Sequence, residues 1–189
     1  ILKQGKPRHL GSSYRPISLL CPAVKVLERL LLPFILEAMP SGPSQHGFKL
    51  RHSTVSALLP LAARITKGFN QRKPPGRTVA VAVDVSKAFD SVPHRQLLEM
   101  VHRSPLHSNL VRWLKVYLRG RKAACLYQMV KSPFRHVHVG VPQGLVISPA
   151  IFNYFVSDCP LPNDSVISYA DDFTVMATPS SLREAEEEL

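Results

Sequence analysis

The stretch Val166-Ile167-Ser168-Tyr169-Ala170-Asp171-Asp172-Phe173-Thr174-Val175-Met176-Ala177 places two apolar runs on either side of adjacent carboxylates. Val166–Tyr169 and Phe173–Ala177 predict two short strands, with Asp171 and Asp172 at the tight turn between them. Carboxylates side by side repel and raise each other's proton affinity. A bound divalent cation removes that cost, because hard cations such as Mg²⁺ take oxygen ligands, usually one or two carboxylates with substrate phosphates. Solvated acids are also common in turns, so this stretch alone leaves both readings open.

Working outward, Thr78–Val85 is a β-branched run with alanine between the valines, and it predicts a central, buried strand that carries Asp84 at its end. If that strand pairs with the hairpin, three carboxylates converge, a set suited to two cations roughly 3.5–4 Å apart that clamp the oxygens of a phosphoryl transfer. Ser91 and Pro93 open a helix to about Arg103, and a second helix fits Ser108–Arg119, with Leu110, Leu114, Tyr117 and Leu118 on one stripe and Gly120 as its C-terminal cap. Ala123–Gln128 and Arg135–Val141 predict two strands joined by a turn at Lys131–Pro133. Ser148 and Pro149 start a helix carrying Ile151, Phe152, Phe155 and Val156, and Ser181 with Glu184 forms a capping box for a last helix.

Towards the N-terminus, residues 1–18 are polar and rich in turn formers. A helix follows from Val24, kinked at Pro33 and ended by Pro40–Pro43. Another begins near Ser53, with Val55, Leu58, Leu59, Ala62 and Ile65 on one face. Pro60 implies that it bends or starts later. Residues 68–77 predict a basic loop. The order is that of an α+β protein with an antiparallel hairpin beside its first strand.

Composition narrows the function. The 45% hydrophobic fraction is that of a folded protein. No apolar run is long enough to span a bilayer; Leu30–Met39 is short and broken by Pro33. No secretory signal is visible. Ile1 is not a start methionine, and the sequence reads as a fragment. The net charge is +11, and residues 1–83 hold thirteen basic against two acidic side chains. A basic body around a small acidic centre suits a polyanion that meets bound metal, although charge alone also fits a merely soluble basic protein. Cys21, Cys125 and Cys159 have no pairing spacing, which favours a reducing compartment. His136 and His138 alternate along a strand, with no third ligand nearby.

At this point a resemblance emerges. Tyr169-Ala170-Asp171-Asp172 resembles the YxDD signature of reverse transcriptases. Asp84-Val85-Ser86-Lys87-Ala88-Phe89-Asp90 resembles the family's first aspartate motif, in the AFD form of non-long-terminal-repeat (LINE-like) retrotransposons. Gly140-Val141-Pro142-Gln143-Gly144, followed by Ser148-Pro149, is similar to their GVPQG…SP motif, with Leu145 and Ile147 where Ser and Leu are more usual. Tyr14-Arg15-Pro16-Ile17-Ser18-Leu19-Leu20 and Gln45-His46-Gly47-Phe48 with Ser53-Thr54 resemble the N-terminal fingers motifs. Five motifs stand in order over residues 14–177.

The resemblance implies a right-hand polymerase fold of the α+β class. It would have mostly helical fingers over residues 1–77 and a ferredoxin-like palm with an antiparallel sheet over 78–189. A fingers insertion would lie near 94–147, the thumb would be absent, and the sequence would be truncated at its C-terminal end. The implied activity is RNA-directed DNA polymerisation: a primer 3′-hydroxyl attacks the α-phosphate of a deoxynucleoside triphosphate. Asp84 and Asp171 would be the principal metal ligands, Asp172 the third carboxylate and Val85 a carbonyl ligand, holding two Mg²⁺ ions with Mn²⁺ as a substitute. Phe89 would be the steric gate against a 2′-hydroxyl, or a core aromatic, or both. Gln143 and Gly144 would line the nucleotide and template, against a plain Pro-Gly loop.

Lys49 and Arg51 would hold the triphosphate, against a solvated basic loop; Lys49 stands where the family often has arginine. Arg15 would hold template or nucleotide, against a structural ion pair. Tyr169 belongs with the substrate-binding positions, and Lys87 reads as a surface or backbone-contacting cation. The implied partners are an RNA template, a DNA primer and dNTP, with no membrane, and the setting is intracellular, nuclear within a full retroelement protein. Two other functions compete: a catalytically inactive nucleic-acid-binding remnant of a retroelement, and an RNA-templated RNA polymerase, against which Phe89 and the YADD form speak.

Overall fold

The computed structural model describes residues 1–70, 78–159 and 165–177. The basic Pro-Gly stretch over 71–77 and the helix expected from Ser181 lie outside the described residues. The protein forms two compact units, one from Ile1–Met39 and Phe89–Phe152, the other from Pro40–Ala88 and the residues from Asn153 on.

The first unit is mainly helical. It contains α1 (Pro22–Ala38), α4 (His94–Arg103) and α5 (Ser108–Leu118), with α3 (Ala88–Ser91) at its boundary and the start of α6 (Ser148–Val156). In α1, Pro22 occupies the first turn, where a missing N–H costs nothing, and Pro33 lies inside the helix. In α4, Leu97, Leu98 and Val101 are buried while Arg95 pairs with Glu99 on the solvent face at 2.9 Å. In α5 the buried stripe is Val111, Leu114 and Leu118, and Gly120 follows at φ +67°, which ends the helix where the sequence predicts. Ile35, Leu97, Leu114, Leu118, Ile147 and Ile151 have essentially no exposure, and each such side chain contributes about 1.5–3 kcal/mol.

The small strands of this unit differ from expectation. β2 (Lys122–Ala123) pairs with β5 (Arg135–His136), and β3 (Leu126–Tyr127) pairs with β4 (Val130–Lys131). The turn is therefore Gln128-Met129, both at positive φ, rather than Lys131–Pro133. Two consecutive residues at positive φ match the twist of a two-residue hairpin. Ser132 continues the ladder instead of turning: its N–H donates to the Cys125 carbonyl at 2.9 Å, and the Cys125 N–H donates to its hydroxyl at 2.9 Å. His136 and His138 stack at 5.8 Å, and among the described residues no group of three potential ligands surrounds them.

The second unit holds α2 (Thr54–Phe69) and an antiparallel sheet of β1 (Val79–Asp84), β7 (Asp172–Ala177) and β6 (Val166–Tyr169), in the order β1-β7-β6. Two expectations are corrected here. β1 is not central and buried: among the described residues it is an edge strand, with Val81 and Val83 exposed by 41% and 44%. A β-branched alternating run suits an edge as well as a centre, so composition cannot separate them. Secondly, α2 starts where expected, at Thr54 with Ser53 and Ser56 capping each other reciprocally, but it buries a different face. Its buried side is Ala57 and Gly68 with Leu61, not Val55, Leu58 and Leu59, which are exposed by 64%, 59% and 63%. Small residues allow close approach, so α2 packs on β6 along the Ala57 stripe, with Ile167 and Met176 beneath it.

Candidate active site

In the second unit, β1 and β7 run antiparallel with Asp84 directly opposite Asp172, while Asp172 is also opposite Tyr169 across the β6–β7 hairpin. Opposed residues of antiparallel strands share a sheet face, with Cβ atoms about 4.5–5.5 Å apart. Asp171 occupies the second position of the two-residue turn, so all three predicted carboxylates gather at one end of the sheet. Asp84 and Asp172 are exposed and Asp171 is half-buried.

Among the described residues no three acidic, histidine or cysteine side chains form a ready-made ligand cage. The donor set nevertheless fits a hard divalent cation: two opposed carboxylates on one face and a third at the next residue. Val85 follows Asp84 immediately and is 37% exposed.

The turn itself is tightly held. Ala170, its first residue, has φ +58°. Beside β6 runs the segment Ser44–Gly47: the His46 N–H donates to the Ser168 carbonyl at 2.8 Å, and the Ser168 N–H donates to the Ser44 carbonyl at 2.9 Å. Gln45, 1% exposed, accepts from the N–H groups of Gly47 at 2.7 Å and Ala170 at 2.9 Å through Oε1, and donates from Nε2 to the Ala170 carbonyl at 3.1 Å. A Cβ on Gly47 would stand 2.2 Å from the Ala170 nitrogen, so only glycine fits there. Asn153 donates to the Gly47 carbonyl at 2.9 Å.

The predicted phosphate cations of this unit are less organised. The Lys49 ammonium donates to the Gly42 carbonyl at 3.4 Å. Arg51 is exposed, on a backbone at φ +63°. His46 lies 3.1 Å from the Ser56 hydroxyl, and burial first, then His52 and Lys49, hold its imidazole below the ordinary value of 6.5.

The first unit brings three other predicted motifs together. Gly140 has φ +90°, and its N–H donates to Val92 at 2.8 Å; a Cβ there would meet the Asp90 carbonyl at 2.6 Å. The Val141 N–H donates to the Phe89 carbonyl at 2.7 Å, and His94 donates to the Gly140 carbonyl at 2.8 Å. Gln143 donates to the Asp90 carboxylate at 3.1 Å, and its carbonyl accepts from the Ser18 N–H at 2.9 Å. Gly144, also at φ +90°, abuts Ile17. The Gly140–Gly144 loop thus lies between the Tyr14–Leu20 segment and Phe89-Asp90.

Phe89 is half-buried and stacks on Phe152 with centroids 4.1 Å apart, so it does pack as an aromatic. Arg15 is exposed and makes no ion pair with another described residue. Leu145 and Ile147 are buried at 4% and 0%, so these two departures from the usual motif fill the core.

Sequence reasoning missed several residues that hold these loops. Glu28, with no exposure, accepts from the Tyr117 hydroxyl at 2.7 Å and from the Val146 N–H at 2.8 Å, which ties α1 to the loop before α6. At helical spacing its neighbours are Val24, Lys25, Leu31 and Leu32, a visible but ambiguous signal. Gln45 and Gly47 stand in a fingers motif that does not reveal their approach to Ala170, and Asn153, which bonds the Gly47 carbonyl, carries no local signal.

With that geometry in view, the comparisons are specific. The family described as Reverse transcriptase (RNA-dependent DNA polymerase) matches residues 1–188. A protein named "Probable RNA-directed DNA polymerase from transposon BS" of Drosophila melanogaster is 32% identical over 98% of this chain and 21% of its own length. "RNA-directed DNA polymerase from mobile element jockey" of Drosophila funebris is 32% identical over 100% of this chain and 22% of its own length. The chain therefore spans about a fifth of these curated relatives. Among solved structures, telomerase from Candida tropicalis in complex with a fragment of telomeric RNA aligns with a TM-score of 0.56 at 12% identity, covering 87% of this chain and 30% of that one, which is a likeness of fold. The Asp84–Asp172 pairing, the ordered motifs and the match over nearly the whole length agree, and the chain belongs to the reverse transcriptase family.

Proposed function

We propose that this protein holds the catalytic carboxylates of an RNA-directed DNA polymerase, which joins deoxynucleotides to a primer 3′-hydroxyl on an RNA template. The observation that carries this reading is the opposition of Asp84 and Asp172 at one end of β1 and β7, with Asp171 next to them in the turn. In the proposed reaction the primer 3′-oxygen bonds to the α-phosphorus. The bond to the bridging oxygen of the β-phosphate breaks, pyrophosphate leaves, and the hydroxyl proton passes to solvent. Members of the family use divalent metal ions. Two Mg²⁺ ions, or Mn²⁺, held by Asp84, Asp171, Asp172 and the Val85 carbonyl, would neutralise charge on the attacking and leaving oxygens.

The protein's own residues do the rest. Phe89, with one face packed on Phe152, turns an edge or face towards the sugar and excludes a 2′-hydroxyl. Gln143, oriented by Asp90, and Gly144 contact nucleotide and template. Arg15, Lys49 and Arg51 pair with phosphates, for which cations give the stronger hydrogen bonds, and Tyr169 borders the nucleotide beside Asp172. In architectural terms, residues 1–77 are fingers and 78–189 palm, with a fingers insertion near 94–147. β1, β7 and β6 then belong to the antiparallel palm sheet.

The test is primer extension on an RNA template with Mg²⁺, for the parent and for Asp84→Asn and Asp171→Asn. Extension by the parent that disappears in both variants supports the reading. A parent that binds RNA–DNA hybrid but never extends it, alone or within its longer natural protein, makes this a binding remnant. Preference for ribonucleotides makes it an RNA polymerase.

A further inference from the structure

We propose that Gln45 is a positioning residue for the carboxylate turn: its side-chain amide fixes the backbone of Ala170, and through it the directions of Asp171 and Asp172. The inference rests on the polymerase reading of that turn. An alanine at φ +58° is in the left-handed region, where its Cβ crowds the backbone and glycine would sit freely. Something beyond the hairpin must therefore hold it there. The first residue of a two-residue hairpin loop has no ladder partner for its N–H and C=O. Here one buried glutamine side chain takes both, the N–H at 2.9 Å and the C=O at 3.1 Å.

The orientation of that amide is fixed by its partners. Gly47 and Ala170 both offer N–H groups, so both must face Oε1, and the Ala170 carbonyl must face Nε2. Rotating the amide by half a turn would set donors against donors. Nor can the clamp move away, because residues 44–46 are bonded to Ser168 of β6 on either side of Gln45 and Asn153 holds the Gly47 carbonyl. The lack of a side chain at Gly47 lets the segment close on the turn: a Cβ there would stand 2.2 Å from the Ala170 nitrogen, a space only hydrogen can occupy. The Gln45-His46-Gly47 stretch thus acts on the carboxylates by shaping their turn, whatever Lys49 and Arg51 do beyond it.

The test uses Gln45→Met, which keeps length but removes all three hydrogen bonds, and Gln45→Glu, which keeps the acceptor and loses the donor. Both are made in the longest natural protein that contains this sequence. Three readouts are taken: amide exchange at Ala170 against the β1–β7 ladder, Mn²⁺ affinity without nucleotide, and the kcat and nucleotide KM of primer extension.

For Gln45→Met, exchange at Ala170 should accelerate by about tenfold or more while the ladder stays protected. Mn²⁺ affinity and kcat should fall several-fold, with nucleotide KM near that of the parent, and Gln45→Glu should lie between. The proposal is overturned if Ala170 exchange stays within about twofold of the parent, or if Ala170 is freed while Mn²⁺ affinity and kcat stay within about twofold. Should Gln45→Met lose ladder protection, and so fail to fold, Gln45→Glu decides by the same thresholds. Should the parent itself not extend primers, the polymerase reading falls, and Ala170 exchange with Mn²⁺ affinity alone decides whether Gln45 positions the turn.

Discussion

Replacing Glu28 tests the core of the first unit and the loop that follows Gly144. Its carboxylate has no exposure and receives two donors, the Tyr117 hydroxyl at 2.7 Å and the Val146 N–H at 2.8 Å. Burial first, then the bond to Glu28, push the Tyr117 phenol far up, so it stays a neutral donor. Glu28→Ala leaves both donors without an acceptor. The main-chain N–H is fixed in direction by the backbone, whereas the hydroxyl can rotate. Each hydrogen bond to a charged group is worth about 1.5–3 kcal/mol, so with the hydroxyl partly re-satisfied the loss should be about 3 kcal/mol.

For a domain with a urea m-value near 2 kcal/mol/M, that lowers the unfolding midpoint by about 1.5 M. Glu28→Gln should cost only about 1 kcal/mol, because its oxygen keeps Val146 while its amide donates to the Tyr117 oxygen, which can reverse its role. Tyr117→Phe should also cost about 1 kcal/mol. Urea denaturation of the three variants beside the parent is the assay. A Glu28→Ala midpoint within about 0.3 M of the parent, or Glu28→Gln as damaging as Glu28→Ala, refutes the reasoning.

Other expectations concern single residues. His46 has a depressed pKa in the folded state, so the unfolded protein binds more protons below about pH 6.5; stability should be full above that pH and fall as pH drops towards the folded pKa. His46→Gln should flatten this slope in denaturation measured from pH 7.5 to 5, and an unchanged slope would count against it. Gly140→Ala forces a Cβ to 2.6 Å from the Asp90 carbonyl at φ +90°, and should lower stability by about 2 kcal/mol or more, read by thermal unfolding. Phe89→Val should raise incorporation of ribonucleotides relative to deoxynucleotides in primer extension; an unaltered ratio would leave Phe89 only its packing on Phe152.

Much of the local structure was legible in the residues. The hairpin around Asp171, the helices over His94–Arg103, Ser108–Leu118 and Ser148–Val156, and the Gly120 cap follow from periodicity and from capping residues, which act within one turn of helix. The order of motifs identified the family. The antiparallel hairpin beside the first strand was also expected, and with it the meeting of Asp84 with Asp172.

What the sequence could not decide depends on partners far along the polypeptide. α2 offers two stripes at helical spacing, and the bulkier one, Val55, Leu58 and Leu59, is the exposed one. β1 has the composition of a central strand and lies at an edge among the described residues, because a strand's neighbours are a property of the sheet. The hairpin turn fell at Gln128-Met129 rather than at the proline, since ladder bonds at Cys125 and Ser132 outweighed local turn preference. Gln45 reaches Ala170 across 125 residues of sequence. Spacing and propensity act between neighbours in sequence, so they set the strands, the helices and the carboxylate pair. A buried glutamine or glutamate has meaning only through the donors and acceptors that folding brings to it, so what holds the carboxylate turn was decided by tertiary structure alone.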